Sequence, residues 1–394
     1  MVISLRRHRP IFSCSDELIR FHEHEYRWSR TVHPSTLKPS AFKFKSTIQK
    51  PSKSANLNTQ IFQANHSPSN HSVVIKLVDL ESEKLLEYVS YEINTIRQLR
   101  HPNLLPLLCS FVVENHLWNV ITSAQYGSTN LWSKPNGIPE LAIAFIIRDV
   151  LLALDYLHKR GIIHRAVCGS HILINSKGNC MLTGLKYSTS VLKDGRWHST
   201  IHEYPKNSIK IANHLAPEIL EQNLLGYNSK SDIYSLGIVC CELANGCVPY
   251  EDIALTEMLL DKLTGNFPRP LDSTCDEIRN FPTDIEDLSP EVREKYETYR
   301  NRTFSQSFHK FTNENCLTFD SYSRPTASTL LSHSFIKQIK KSNTNLLELL
   351  QVNSTKQNNM DTKQNESIDE TAIDLGRKLV LEDNGDDDDI QWMF

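Results

Sequence analysis

The chain has 394 residues, of which 39% are hydrophobic and 23% charged, and its net charge is −3. These values are ordinary for a folded globular protein, and the slightly acidic balance argues against nucleic acid as a main partner. No apolar run approaches the roughly 20 residues that cross a membrane. The nine cysteines form no CxxC pair, which argues against zinc or a disulfide framework and favours a cytoplasmic, or also nuclear, location.

The first third of the chain predicts a short arm followed by a small sheet. Residues 1–40 show no hydrophobic period and are expected to be poorly ordered. Four β-like runs follow between residues 41 and 126, and one stretch with helical spacing interrupts them. The strands are AFKFKSTI, TQIFQA, SVVIKLVDL and LWNVITS, and the helix is LLEYVSYEINTIRQL. Pro102 and Pro106 in HPNLLPLL end that helix.

From residue 127 to residue 340 helical patterns dominate. ELAIAFIIRDVLLALDYLHKRG is a long apolar helix that ends at Gly161, and SKSDIYSLGIVCCELANG is a second buried helix. HILINSKGNCML predicts a hairpin with a Lys-Gly turn, and RPTASTLLSHSFIKQIK predicts two final helices. Residues 341–394 predict a disordered acidic tail, with at most one short helix near LLELL, that ends in an aromatic docking motif.

Seven short motifs occur in the order found in eukaryotic protein kinases. They are VVIK ending at Lys76, Glu92 in the next helix, HRA, LTGLK, LAPE, DIYSLG and RPTA. Any one of them is weak evidence, but the ordered set is specific. The predicted fold class is therefore α+β, a bilobal protein kinase-like fold. A β-rich N-lobe spans residues 41–126, and a larger helical C-lobe spans residues 127–340.

The three positions that carry phosphoryl transfer are altered. Ala166 stands where a kinase has its catalytic Asp, and His171 stands where it has the metal-binding Asn. Gly184 replaces the Asp of the second metal-binding motif. Without a base and without either metal-holding side chain, the sequence predicts a pseudokinase with no catalytic residues, no metal site and no required cofactor.

The candidate nucleotide site is also degraded. A kinase phosphate loop needs glycines so that backbone N–H groups can approach the phosphates, but STIQKPSKSANLNTQIF has none. Lys76 and Glu92 match the ion pair that aims a lysine at the phosphates, although an internal salt bridge without a ligand explains them equally well. The candidate nucleotide-binding residues are Val74, Lys76, Glu92, Ile121, Thr122, Ala124, His171, Leu173 and Lys186.

Among kinase-like proteins the chain resembles the STRAD (Ste-related adaptor) pseudokinases. The resemblance rests on HRAVCGSHILI, LTGLKYSTSV, HEYPKNSIKIANHLAPEILEQ, FSQSFHKF and RPTASTLLSHSFIKQIK. It implies an adaptor that allosterically activates a Ser/Thr kinase of the liver-kinase-B type, together with a helical-repeat scaffold of the Mo-twenty-five type. It also implies that ATP can bind without magnesium, with His171 and Lys186 at two basic positions and Cys168 where a lysine is common.

The last three residues complete the resemblance. Family members end in Trp-Glu-Phe, which inserts into a pocket on the scaffold, and this chain ends in Trp392, Met393 and Phe394. Aromatic anchors on a flexible tail suit pocket binding, because a few buried rings can carry most of the binding energy. A tail that folds back on its own domain is the alternative. Two other functions also stay open: a nucleotide-independent scaffold, and a slow unorthodox Ser/Thr kinase.

Overall fold

The computed structural model describes residues 39–49, 59–80, 83–113, 116–193, 195–205, 208–222, 224–281, 289–350 and 391–392. The predicted N-terminal arm therefore lies outside the described residues, except for its last two positions. The same holds for the glycine-free loop between residues 50 and 58 and for most of the acidic tail.

An antiparallel sheet forms the N-terminal region. Its strands are β1 (Phe42–Gln49), β2 (Thr59–His66), β3 (His71–Asp79), β4 (Leu107–Val113), β5 (His116–Thr122) and β12 (Gln391–Trp392). They lie in the order β1-β2-β3-β5-β4-β12. Side chains of β3 alternate between buried and half-buried positions, as expected for a strand with one face on a core. That core includes Phe42, Phe62, Ile75, Phe111 and Trp118.

The rest of the described chain is largely helical. Its helices are α1 (Glu83–Gln98), α2 (Thr129–Ser133), α3 (Glu140–His158), α4 (Pro217–Leu220), α5 (Lys230–Asn245), α6 (Leu255–Thr264), α7 (Asp276–Arg279), α8 (Pro290–Arg300), α9 (Gln306–His309), α10 (Ala327–Leu330) and α11 (Ser334–Lys337). Short strands form three two-stranded pairs: β6 (Ile162–Ile163) with β9 (Thr189–Ser190), β7 (Ile172–Ile174) with β8 (Cys180–Leu182), and β10 (Leu192–Lys193) with β11 (Arg196–Trp197). A five-stranded sheet followed by helices is the protein kinase fold, so the predicted fold class is confirmed.

The large core surrounds α3 and α5. Almost every residue of α5 is buried, which is typical of a helix enclosed on all sides. Gly246 ends α5 with φ +73°, a left-handed conformation in which glycine has no steric cost. The described residues group into two compact units: β1–β5, β12 and the start of α1 lie in one, and the segments Val89–Leu105 and Ala124–Gln364, as far as they are described, lie in the other.

Two elements differ from the sequence expectation. Strand β4 was not predicted, because LLCSFVV is an apolar run without alternation that follows two prolines. The helical packing also continues past residue 340, where the tail was expected to begin. Leu346 and Leu350 are buried in the large core, so the LLELL helix is a packed part of the fold.

No helix among the described residues is long and apolar enough to cross a membrane.

Candidate functional site

The catalytic loop is held by a buried carboxylate from α5. Asp232 is fully buried and accepts hydrogen bonds from the backbone N–H groups of His164 and Arg165, each at 2.8 Å. The His158 side chain lies 2.8 Å from the same carboxylate. Burial raises the pKa of Asp232, but the His158 hydrogen bond and charge, with help from His164, outweigh it and leave that pKa below its usual value. The loop backbone is therefore fixed independently of any substrate.

His164 is a neutral internal group of this loop. Its Nε2 lies 3.0 Å from the Thr183 carbonyl, and its Nδ1 accepts a hydrogen bond from the Ala166 N–H. Burial lowers the pKa of His164 to about 4, although the nearby Asp232 charge opposes the shift. The ring accordingly joins the catalytic loop to the end of β8 without carrying charge near neutral pH.

Arg165 ties the activation segment, the stretch from Leu185 to Leu225, to the catalytic loop. Its guanidinium donates to the carbonyls of Tyr187, Ser188 and Glu203 and to the Tyr227 hydroxyl. In many kinases a phosphorylated residue orders this segment by pairing with arginine. Here neutral acceptors occupy the guanidinium, so the described part of the segment is ordered without phosphate.

Ala166, at the catalytic Asp position, is sealed in an apolar cluster. It is 1% exposed. The buried members of the cluster are Ile163, Ala166, Val191, Ile201, Ile211, Leu215, Ile219 and Tyr227. A base must reach the proton that it removes within hydrogen-bonding distance, and this position offers neither a base nor access.

His171 and Gly184 fit each other sterically. His171 turns its Nδ1 toward the Ala166 carbonyl at 2.7 Å. Gly184 has φ +96°, and a Cβ built on it would lie 2.7 Å from His171 Nδ1. The imidazole therefore fills the space that a side chain at position 184 would need. Lys186 lies close by, with its Nζ 4.8 Å from the centre of the Tyr187 ring.

These residues do not fit a magnesium ion. Mg²⁺ prefers oxygen ligands in octahedral geometry, whereas the two positions offer an imidazole and a glycine. In the part of the chain that the structure describes, no group of three or more His, Cys, Asp or Glu side chains could hold a metal.

The candidate nucleotide residues fall in both compact units. Val74 and Lys76 on β3, with Ile121 and Thr122 on β5, lie in the sheet unit, where Lys76 is half-buried opposite Asn119. Within the described residues the buried Thr122 hydroxyl has no hydrogen-bond partner. The others, Glu92, Ala124, His171, Leu173 and Lys186, lie in the helical unit, where Glu92 is 7% exposed. Their role in binding a nucleotide stays a prediction.

The LAPE and RPTA motifs meet in a buried ion pair. Arg324 donates to both carboxylate oxygens of Glu218, at 2.6 and 3.0 Å, and is itself fully buried. Further donations to the carbonyls of Thr318 and Phe319 satisfy the guanidinium. The pair joins the end of the activation segment to the late helices.

A second anchor of the same segment had no sequence signal. Lys262 on α6 is fully buried and donates to the carbonyls of Ala212, Asn213 and Leu215, at 2.7–3.3 Å. Burial lowers the pKa of its ammonium group well below the usual value, while Glu218 raises it. A lysine within a helical pattern is normally expected at the protein surface. The burial of Lys262 depends on the packing of α6 against the activation segment, which the sequence pattern does not show.

Large apolar side chains are exposed along the same segment. Leu224 is 94% exposed and Ile209 is 81% exposed, and four other large side chains of the described part of the segment are also exposed: Leu192, Trp197, Tyr204 and Leu225. Isolated exposed hydrophobics are common, whereas a contiguous exposed apolar patch can mark a surface for protein binding.

Comparison with known proteins adds to this geometry. Residues 58–336 match the protein kinase domain family. STE20-related kinase adapter protein alpha from Rattus norvegicus is 40% identical over 70% of this chain and 75% of its own length. The alpha protein of Homo sapiens is also 40% identical, over 71% of this chain and 69% of its own length. STE20-related kinase adapter protein beta from Homo sapiens is 35% identical over 74% of this chain and 75% of its own length.

Proposed function

Because the chain belongs to the family of STE20-related kinase adapter proteins, we propose that it is a catalytically inactive kinase fold that activates a true kinase. The partner would be a Ser/Thr kinase of the liver-kinase-B type, bound together with a helical-repeat scaffold of the Mo-twenty-five type. One observation carries this proposal: Ala166 is sealed in an apolar cluster, while Asp232 and Arg165 still hold the surrounding loops in a fixed arrangement.

Loss of catalysis follows from the chemistry of the altered positions. Removing a positioned base costs about 10²–10⁴-fold in rate. Loss of metal charge at the phosphates removes several kcal/mol more of transition-state stabilisation. The slow unorthodox kinase would need another carboxylate near Ala166, but the catalytic loop from His164 to His171 contains none.

Activation of a partner follows from the ordered activation segment. A surface that is already fixed loses less conformational entropy on binding than one that must become ordered. Arg165, Lys262 and the Glu218–Arg324 pair fix the segment without phosphate. The exposed side chains of Trp197 and Leu224 would then be buried against the partner kinase and hold it in its active conformation.

Partner activation provides the test. The purified partner kinase is assayed with scaffold and increasing amounts of wild-type chain, of Leu224→Asp and of Leu152→Asp. Leu152 is 37% exposed on α3, outside the activation segment in sequence, so its variant controls for adding a charge to an exposed leucine. The proposal expects stimulation by wild type and Leu152→Asp and a loss of at least about tenfold in apparent affinity for Leu224→Asp. If saturating wild-type chain binds the partner kinase but does not stimulate it, the activation proposal is wrong and only a scaffolding role remains.

For the nucleotide, we propose weak ATP binding that does not require magnesium. Lys76, His171 and Lys186 would supply the positive charge, and the buried unpaired Thr122 hydroxyl offers a polar group at the hinge. The nucleotide-independent scaffold is favoured by the absence of glycine from residues 46–62. Thermal-shift titration with ATP, with and without magnesium, distinguishes weak ATP binding from a scaffold that binds no nucleotide. The Lys76→Met variant is the control. Tight binding that needs magnesium would contradict both.

A further inference from the structure

The two outer strands of the N-terminal sheet differ in how they avoid unwanted pairing. β1 forms one edge and carries two exposed lysines, Lys43 and Lys45. Its pairing with β2 is also interrupted twice, between Phe44 and Ser46 and between Thr47 and Gln49. Charged side chains and irregular pairing are common ways to protect an edge strand. The outer edge of β1 is therefore already protected against pairing with another strand.

β4 has less of this protection: its pairing with β5 is interrupted once, between Leu107 and Cys109, at the start of the strand. Its sequence, LLCSFVV, contains no charged residue and no proline. One side of β4 pairs with β5, and the other side would present unpaired N–H and C=O groups next to apolar side chains. Such an edge readily accepts an additional strand.

The end of this same chain occupies that edge. Gln391 pairs with Val112 and Trp392 pairs with Phe111, antiparallel, so that β12 becomes the sixth strand of the sheet. We propose that the outer edge of β4 is a docking site for the last residues of this chain. Docking there competes with insertion of the same residues into a partner protein, because one backbone cannot pair with β4 and enter a separate pocket at once.

The competition rests on the proposed function, with the scaffold binding the Trp392–Phe394 end as the family resemblance implies, but the pairing with β4 does not. A tethered tail acts at an effective concentration of about millimolar, so the pairing is substantially occupied when its dissociation constant is of that size or smaller. The apparent affinity for the scaffold then falls by the fraction of chains whose tail is free. Pairing with β4 thus determines how high the intrinsic affinity of the scaffold pocket must be to bind the tail.

Hydrogen exchange of β4 tests the pairing directly. The proteins compared are the full chain, a chain truncated after residue 379, Gln391→Pro and Gln391→Ala. Proline removes a backbone donor and fixes φ, so it breaks strand pairing, whereas Ala keeps the backbone able to pair. Because all changes lie at the end of the chain, the domain itself keeps its fold.

The proposal expects the amides at Phe111 and Val112 that point away from β5 to exchange about three- to tenfold more slowly in the full chain and Gln391→Ala than in the other two proteins. Equal exchange in the full chain and the truncated chain would overturn it. So would protection that rises with protein concentration, because that result means pairing between two copies.

Scaffold titration separates this inference from the proposed function. Gln391→Pro in the full chain should bind the scaffold about two- to tenfold more tightly than Gln391→Ala, while peptides of residues 380–394 with the same two substitutions should bind equally. Failure of both peptides to bind refutes the scaffold docking alone. Peptides that bind equally, with no difference between the two full-length variants, refute the competition.

Discussion

The positions that the sequence motifs align with kinase chemistry differ from the framework around them. At the former stand Ala166, which is buried, His171 and Gly184, none of which has a carboxylate. In the framework, Asp232 keeps its hydrogen bonds to the catalytic loop and Arg324 keeps its bidentate pair with Glu218. The difference teaches that the contacts that hold a kinase fold together do not depend on a carboxylate at position 166.

The largest effect is expected from breaking the buried framework pair. Arg324→Met or Glu218→Leu leaves an unpaired charge in the interior, which costs about 3–5 kcal/mol of stability. Replacing both residues together should cost less than either single change, because no unpaired charge remains. Thermal unfolding of the three variants measures this. A double variant less stable than both single variants would show that the pair acts through more than its charge.

Restoring the base should destabilise the protein without restoring activity. Ala166→Asp places a carboxylate in the apolar cluster with Ile211 and Val191, and burying a polar group without partners costs roughly 2 kcal/mol or more. The Ala166→Ser variant is the matched control. Its new side chain is smaller than aspartate and uncharged, so it should lose less stability. Unfolding measurements test the expected loss of stability, and a phosphate-transfer assay tests the expected absence of activity. A stable and active Ala166→Asp protein would mean that the site had stayed open.

The His171–Gly184 fit should appear as a coupling between the two positions. Gly184→Asp introduces a side chain at φ +96° and against the imidazole, which is expected to cost roughly 1–3 kcal/mol. His171→Asn makes room, so the double variant should recover part of the loss. A double-mutant cycle on stability should show a coupling of at least about 0.5 kcal/mol. Strict additivity would mean that the two substitutions are independent.

Acid should weaken the framework through His164. Its pKa is about 4 in the folded protein and about 6.5 when unfolded. Between these values the unfolded chain binds more protons, so the stability that the neutral ring contributes is lost as pH falls from about 6.5 to about 4. The loss should be on the order of 2–3 kcal/mol. His164→Gln cannot titrate, so its unfolding temperature should fall less steeply over that pH range, whatever its value at pH 7.

The sequence predicted most of this fold because kinase motifs and helical periods are local signals. α3, α5 and the β7–β8 hairpin lie where their patterns placed them. β4 was missed because an unbroken apolar run has no period that separates a strand from a buried helix. The burial of Lys262 and of Ala166 depends on packing between distant segments, which no residue pattern encodes. The partner-binding roles of Trp392, Met393 and Phe394 stay predictions: Met393 and Phe394 lie outside the described residues, and for Trp392 only backbone pairing is described.

Phosphate transfer by the purified chain alone tests the central claim most directly. Wild-type chain and Lys76→Met are incubated with ATP, magnesium and a generic protein substrate under identical conditions, and incorporated phosphate is measured over hours. The account predicts equal, background incorporation for both proteins, since Ala166, His171 and Gly184 leave neither a base nor metal ligands. Magnesium-dependent transfer by wild type that Lys76→Met abolishes would contradict it.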